Sequence, residues 1–382
     1  MRVLYHHRTQ SGDAQGIHIY EMVKAFRELG HEVEIVALVK LDQPGGQKIK
    51  GRSWERVTRW IPSWLYELMS LTYNLYGYRQ LCKAIRAHRP DLIYERYALN
   101  TFCGVLAGKR FGIPMILEVN APLYYEQQKL GKLTFAWLAR WSERWICSHS
   151  TRTVVVTQVM RDLLVEEGVP TRRMVVMSNG IDPQHFHPGI SGEPIRTRYG
   201  MTGRTVLGFV GWFRKWHGLE FLLEIMHEAK LSEQGVTLLL VGDGPAYPDL
   251  IRYVDAHHLR SDVVLTGPVG REEMAAHIAA MDITLQPNVT EYACPMKIIE
   301  YMGMGKCTVA PNQPNIREIV EEGVTGVLFK PGSKDSMRAQ IEALVRNPAM
   351  SRRMGRTAAE RIYARGFLWK ANAERVLKLI TE

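Results

Sequence analysis

"NGIDPQHFHPGISGEPIRTRYGMTGRTVLGFVG", residues 179–211, decides the fold. Residues 179–204 are rich in Gly, Pro and polar residues and carry no clear apolar period, so they read as a domain linker. At Thr205 a strand pattern starts again, and the second half of the chain repeats the rhythm of the first. Ahead of the linker, "RVLYH", "HEVEIVALV", "DLIYERY", "PMILEVN", "TRTVVVT" and "RMVVMSN" read as strands alternating with helical patterns. In "QGIHIYEMVKAFRELG", Ile19, Met22, Val23 and Phe26 share one helical face, and Gly30 fits a stop. After the linker come "TVLGFVG", "VTLLLVGDG", "VVLTG", "ITLQP" and "CTVAP", again separated by helical patterns. This βαβ rhythm predicts an α/β protein of two doubly wound domains, each a parallel sheet covered by helices. Ligands in such sheets bind beyond the carboxyl ends of the strands, so the cleft between the domains is the default site.

The bulk numbers fit. A chain of 382 residues, 46% apolar and 23% charged, suits two soluble domains with a core each. A net charge of +10 favours an anionic partner: nucleotide phosphates, an acidic polymer or an anionic membrane surface. No zinc-ligand spacing, basic heptad region or aromatic RNA-binding signature appears, which argues against nucleic acid. Cys82, Cys103, Cys147, Cys294 and Cys307 are scattered and odd in number, which argues for a reducing compartment. "MRVLYHH" enters a strand directly, so no signal peptide is expected, and Glu67 interrupts the longest apolar run. The expected location is cytoplasmic.

Several loops could carry chemistry. "RTQSGDAQG" meets a helix at Gly16, where a phosphate could approach backbone N–H groups; taken alone, an ordinary tight turn explains it better. "GFVGWFRKWHGLEFLLE" places Arg214, Lys215 and His217 between Gly211 at a strand end and a helix opening near Gly218, a diphosphate cradle or a solvated basic loop. The Gly-Asp-Gly turn of "LLLVGDGP" reads as a turn. "EYACPMKIIEYMGMGK" carries Glu291 and Glu300 around a loop entering a helix, where capping competes with acceptance of sugar hydroxyls. The pairs His6/His7, His185/His187 and His257/His258 lack metal-ligand geometry and read as loop or surface residues. Trp137, Trp141 and Trp145 recur every four residues beside Arg140 and Arg144, with Lys129 and Lys132 upstream. Packing into the core is the leading reading of that stripe; a membrane interface is the other. The aromatic segment from Trp54 to Tyr78 raises the same question.

The order of "GDAQGIHIYEMVKAFRELGHEV", "VVMSNGIDPQHFHP", "VGWFRKWHGLEFLLE", "LLLVGDGP", "VVLTGPV", "DITLQPN", "PMKIIEYMGMGKCTVAP" and "IVEEGVTGVLF" resembles the retaining glycosyltransferases of family 4, the glycogen-synthase-like superfamily with the GT-B fold. The resemblance spans essentially the whole chain. It implies an acceptor-binding domain over residues 1–195, a nucleotide-sugar-binding domain over 196–365, and a C-terminal helix, 366–382, packing back on the first domain. It also implies a nucleotide-diphosphate sugar donor, UDP favoured and GDP second, with no tightly bound cofactor and no required metal. The acceptor it implies is a glycan or lipid-linked molecule at or near the inner membrane face, with a small soluble acceptor as the close variant. Glu300 matches the glutamate that holds the donor's ribose hydroxyls. Ala293–Lys297, including Cys294, Pro295, Met296 and Lys297, matches the segment meeting sugar and phosphates.

Three positions depart from the family pattern. Tyr292 stands where the first glutamate belongs, with Glu291 one residue further out: either a shifted loop brings Glu291 to the sugar or the contact is lost. Trp212 and His217 stand where the diphosphate-binding Arg and Lys belong, so Arg214 and Lys215 are inferred substitutes. Asn120 replaces a histidine after the "ILEV" strand; it can hydrogen-bond a sugar hydroxyl but cannot act as a base. These departures keep open a degenerate member that binds nucleotide or glycan without turnover. A sugar-nucleotide epimerase is weaker, and a hydride-transfer enzyme weaker still because the glycine fingerprint is missing.

Overall fold

The computed structural model describes residues 1–9, 14–38 and 62–380. Gln10–Asp13 of the first loop and Trp54–Ile61 of the aromatic segment lie outside the described residues. The chain divides into two compact units, residues 1–178 with 369–382 and residues 179–368.

The first unit holds a parallel six-stranded sheet in the order β2-β1-β3-β4-β5-β6. Its strands are β1 (Arg2–His7), β2 (Glu32–Ala37), β3 (Leu92–Arg96), β4 (Met115–Val119), β5 (Arg152–Val155) and β6 (Met174–Val176). Every residue of β4 is buried, Glu118 included, because helices cover both faces of the sheet. His6 and His7 belong to β1 and are also fully buried, not loop or surface residues as their polarity suggested.

The second unit repeats the plan in the order β12-β11-β10-β7-β8-β9. These strands are β7 (Thr205–Val210), β8 (Val236–Val241), β9 (Val263–Leu265), β10 (Ile283–Leu285), β11 (Cys307–Pro311) and β12 (Gly326–Phe329). Its core gathers Leu207, Phe209, Leu238 and Leu240 from the strands with Leu222, Leu223 and Ile341 from the helices. Side-chain caps fix helix starts: Ser333 accepts from the Ser336 amide and Asn347 from the Met350 amide.

The segment with linker composition does not hang between the units. Ile181 donates its amide to Phe367 O at 3.0 Å, and its side chain lies so close to Gly303 that a Cβ there would sit 2.4 Å away. Phe186 is buried in the same unit. Apolar residues spaced among the Gly and Pro are enough to pack this stretch onto the second unit.

After Leu368 the chain rejoins the first unit. The helix Trp369–Lys378 lies along the helix Ala14–Glu28, with Trp369 edge-on to His18 at 4.7 Å between ring centroids. Asn372 Nδ2 donates to Ser178 O at 2.8 Å.

Candidate functional site

Each sheet reverses its strand order once, and in sheets of this kind ligands bind beyond the strands' carboxyl ends at that switch point. In the second unit the reversal falls between β7 and β10. The loops leaving those two strands carry most of the residues the sequence singled out.

Gly211 ends β7 with φ +140, and a Cβ there would stand 2.9 Å from Lys297 Nζ. At that φ only glycine avoids backbone strain, and its missing side chain leaves the ammonium where it stands. Lys297 lies in the first turn of the helix Met296–Gly303, with Pro295 at the N-cap, and its Nζ sits 4.1 Å from the Phe209 ring centroid. Burial pushes Lys297 down to about 7, opposed by Glu300. The position therefore joins a cation to the backbone N–H groups of a helix start, an arrangement that accepts an anion.

His217 is buried between Trp216 and Phe209, at 4.0 and 5.4 Å between ring centroids. The Arg214 amide donates to its Nδ1 at 3.2 Å. Burial, then Lys297, then Arg214 push it down to about 3. His217 is neutral at physiological pH, so it offers polarity and shape rather than charge. Arg214 is exposed; Lys215 is exposed too and reaches Asp249 at 3.5 Å.

Glu300, further along the helix that Lys297 opens, is buried, and its Oε1 accepts from Arg271 Nη1 at 2.7 Å. That guanidinium lies 4.7 Å from the Phe186 ring centroid. Tyr301, the next residue, accepts the Val210 amide on its hydroxyl at 2.8 Å, which ties this helix to the end of β7.

Asparagines hold the loop between β10 and that helix. Asn179 donates its amide to Cys294 Sγ at 3.3 Å and its Nδ2 to Cys294 O at 2.6 Å. Asn315 Nδ2 donates to Thr290 O and Ala293 O at 3.0 and 2.7 Å. Asn288 Nδ2 donates to Trp216 O at 2.8 Å and joins the two loops. Glu291 is exposed on this loop, whereas Tyr292 and Cys294 are buried. Gly211, His217, Lys297 and the 293–296 loop thus meet at one switch point, and Lys215 points off to a helix flank.

In the first unit the reversal lies between β1 and β3. Arg8 leaves β1, donates to Thr101 Oγ1 at 2.8 Å and stands 4.3 Å from the Tyr73 ring centroid. Burial, His6 and Arg96 push His7 down to about 4. Glu118 accepts from the Tyr94 hydroxyl at 2.9 Å and lies 3.1 Å from His18 and 3.6 Å from Arg96. Burial alone would raise this carboxyl, but His18, Arg96 and Tyr94 hold it below the usual range. Asn120 follows β4, and its Nδ2 is buried without a hydrogen-bond partner among the described residues. Gly16 is buried in the opening turn of the helix Ala14–Glu28. His6, Glu95 and Cys103 are spaced closely enough to hold an ion. His6 is however bonded to Glu95 on one ring nitrogen and to Tyr73 at 3.0 Å on the other, a closed network in its own right.

Arg271, Asn288, Arg8 and Arg96 escaped the sequence reading. Arg8 and Arg96 had a signal, a polar residue at the end of a strand run; Arg271 had none, because its partner lies on a separate helix.

Two family models match. Residues 14–180 match the "Glycosyl transferase 4-like domain" and residues 204–347 match "Glycosyl transferases group 1". The chain is 25% identical to the alpha-D-kanosaminyltransferase of Streptomyces kanamyceticus over 263 residues, 68% of each chain. It is 25% identical over 326 residues to the GDP-mannose-dependent alpha-mannosyltransferase of Mycobacterium tuberculosis, covering 82% of this chain and 79% of that one. HepE of Anabaena, solved in complex with UDP, has the same fold, with a TM-score of 0.74 at 17% identity over 100% of both chains.

Proposed function

The chain belongs to the family 4 glycosyltransferases of the GT-B fold, and on that premise we propose that it moves a sugar, with retention and without a metal, from a nucleoside diphosphate sugar to a glycan or lipid-linked acceptor. The observation that carries this reading is the meeting of Lys297, Gly211 and a helix N-terminus, with the buried Glu300 further along the same helix.

The diphosphate takes the place beside Gly211, where Lys297, Arg214 and the N–H groups of Cys294, Met296 and Lys297 face it and His217 shapes the wall. Glu300 accepts from the ribose hydroxyls, and Arg271 fixes its orientation. Asn120 and Glu291 meet the sugar, and the first unit holds the acceptor, with Gly16 at its helix start. During transfer the bond from the anomeric carbon to the phosphate oxygen breaks, and the acceptor oxygen bonds to that carbon on the same face. The acceptor's proton passes to the departing diphosphate. No side chain need act as a base, so Asn120 in place of a histidine is compatible with turnover; the protein positions the partners and stabilises charge on the diphosphate. UDP is our first choice of nucleotide and GDP the second: HepE is a chain of this fold solved with UDP, and the mycobacterial relative is GDP-mannose-dependent.

Thermal melting with UDP, GDP, ADP and their common sugars tests the donor site, because a ligand bound only by the folded state raises the melting temperature. We expect a shift with one nucleotide class that Glu300→Ala abolishes. No shift with any nucleotide overturns the donor-site assignment.

A further inference from the structure

The helices Ser63–His88, Cys103–Phe111 and Ala136–His149 of the first unit adjoin one another. The first packs on the second, and Glu67 of the first accepts the Thr134 and Phe135 amides that open the third. Phe102, at the start of the second, lies 5.7 and 5.5 Å from Trp141 and Trp145 between ring centroids.

Large apolar side chains face outward from all three: Trp64, Leu68 and Leu75, then Leu106, then Trp137 and Trp141. Trp137 is 72% exposed and Trp141 51%, so the core reading of that stripe is overturned, with Trp145 alone half-buried. A run of exposed aromatics on adjoining helices marks an interaction surface rather than scatter.

Charge selects the partner. Trp64, Leu68, Leu75, Arg79 and Arg86 recur at helical spacing, so the apolar stripe of the first helix continues as a basic one, with Lys83 alongside. Lys109 and Arg110 are exposed on the second helix, and Arg140 and Arg144 on the third, Arg140 meeting Glu167 of a neighbouring segment at 2.6 Å. Lys109 Nζ lies 5.2 Å from the Trp145 ring centroid and Arg86 5.7 Å from that of Phe111, so cations interleave with aromatics. The only carboxylates on the three helices, Glu67 and Glu143, are both buried. These helices therefore present aromatics and cations with no exposed acid of their own.

We propose that this face docks on an anionic lipid bilayer, the tryptophans entering the headgroup boundary and the lysines and arginines meeting lipid phosphates. A second copy of the chain fits poorly, because a symmetric contact would set cations against cations. No helix among the described residues is long and apolar enough to cross a membrane, so the contact is peripheral. The inference bears on the lipid-linked acceptor, but vesicle binding and nucleotide binding are measured separately and either can fail alone.

Co-sedimentation of the purified chain with vesicles of phosphatidylcholine, and of phosphatidylcholine mixed with phosphatidylglycerol, tests it. We expect binding to the mixed vesicles only, weakened by salt, with a blue shift of tryptophan fluorescence. The triple variant Arg79→Gln, Lys83→Gln, Arg86→Gln should lower partitioning about fivefold per charge removed. The double variant Trp137→Ser, Trp141→Ser should abolish the blue shift and the binding, while melting temperature and nucleotide response stay unchanged. Absence of binding to the mixed vesicles, equal binding to both kinds, or binding indifferent to both variants overturns the proposal. So does self-association that the tryptophan variant abolishes, which would assign the face to a second copy.

Discussion

Arg271 Nη1 stands 2.7 Å from Glu300 Oε1, and the pair joins two helices of the second unit through a carboxylate that is 8% exposed. The cation does two things: it compensates a buried charge, and it turns the carboxylate in one direction. Removing one partner of such a pair strands the other. Arg271→Met should lower stability by about 2 kcal/mol and weaken nucleotide binding by about tenfold. Glu300→Gln keeps an acceptor for Arg271, so it should melt near the wild type while still losing nucleotide affinity. Paired melting curves and nucleotide titrations separate the two effects.

On the proposed donor site, Lys297 should give nucleotide binding a pH dependence whose sign follows from its burial. With its pKa at about 7 before binding, the ammonium is charged below that pH and increasingly neutral above it. A bound diphosphate favours the charged form, so affinity should fall as pH rises above about 7, by up to about tenfold per pH unit. In Lys297→Met the affinity should be lower throughout and flat over that window. Equilibrium titration of both proteins across the alkaline range decides it.

Gly242 and Gly235 make a matched pair of backbone tests. Gly242 has φ +133, and a Cβ on it would lie 2.0 Å from the Gly211 carbonyl oxygen. Gly235 has φ +73 with nothing within 4 Å of its Cβ position. Gly235→Ala should cost about 1 kcal/mol, the left-handed penalty alone. Gly242→Ala should cost about 3 kcal/mol or more, since backbone must move, and should also displace Gly211 from Lys297. Urea unfolding measures the first effect and nucleotide binding the second.

Glu143 links stability of the first unit to pH. Burial raises its carboxyl from 4.5 to about 7 despite hydrogen bonds from the Tyr124 amide at 3.1 Å and the Tyr97 hydroxyl at 2.9 Å. Between those two values the unfolded chain ionises while the folded one stays protonated. Stability therefore falls as pH rises from 4.5 towards about 7 and levels off above it. Glu143→Gln keeps the acceptor without the charge. It should raise stability at neutral pH by on the order of 2 kcal/mol and remove this part of the pH slope in melting experiments.

The fold was legible wherever strands are buried on both faces, because such strands appear as unbroken apolar runs; "VTLLLV" of β8 is buried at every residue. That Lys297 and Glu300 lie close together was legible because they share one helix and one motif. Arg271 was not, since its pairing with Glu300 depends on how two helices pack, which local spacing does not encode. His6 and His7 were misjudged for the complementary reason: polarity argues for a surface, yet a central strand buries both faces of whatever it carries. Trp137 and Trp141 show the limit of periodicity, for a four-residue repeat says that side chains share a face but not whether the face points inward. The linker misled through composition, because the few apolar residues among its glycines and prolines, Ile181 and Phe186, set where it packs.

The return of Trp369–Lys378 to the first unit has a consequence for how the protein is made. On the ribosome, residues 1–178 emerge first, but the helix that covers Ala14–Glu28 is synthesised only after the whole of residues 179–368. The second unit is complete in one uninterrupted stretch and can fold as it emerges, whereas the first waits for Trp369 to cover the edge of His18. A nascent chain stalled short of that helix would leave the face of Ala14–Glu28 that it covers open to solvent, so completion of the first unit falls on residues 369–378.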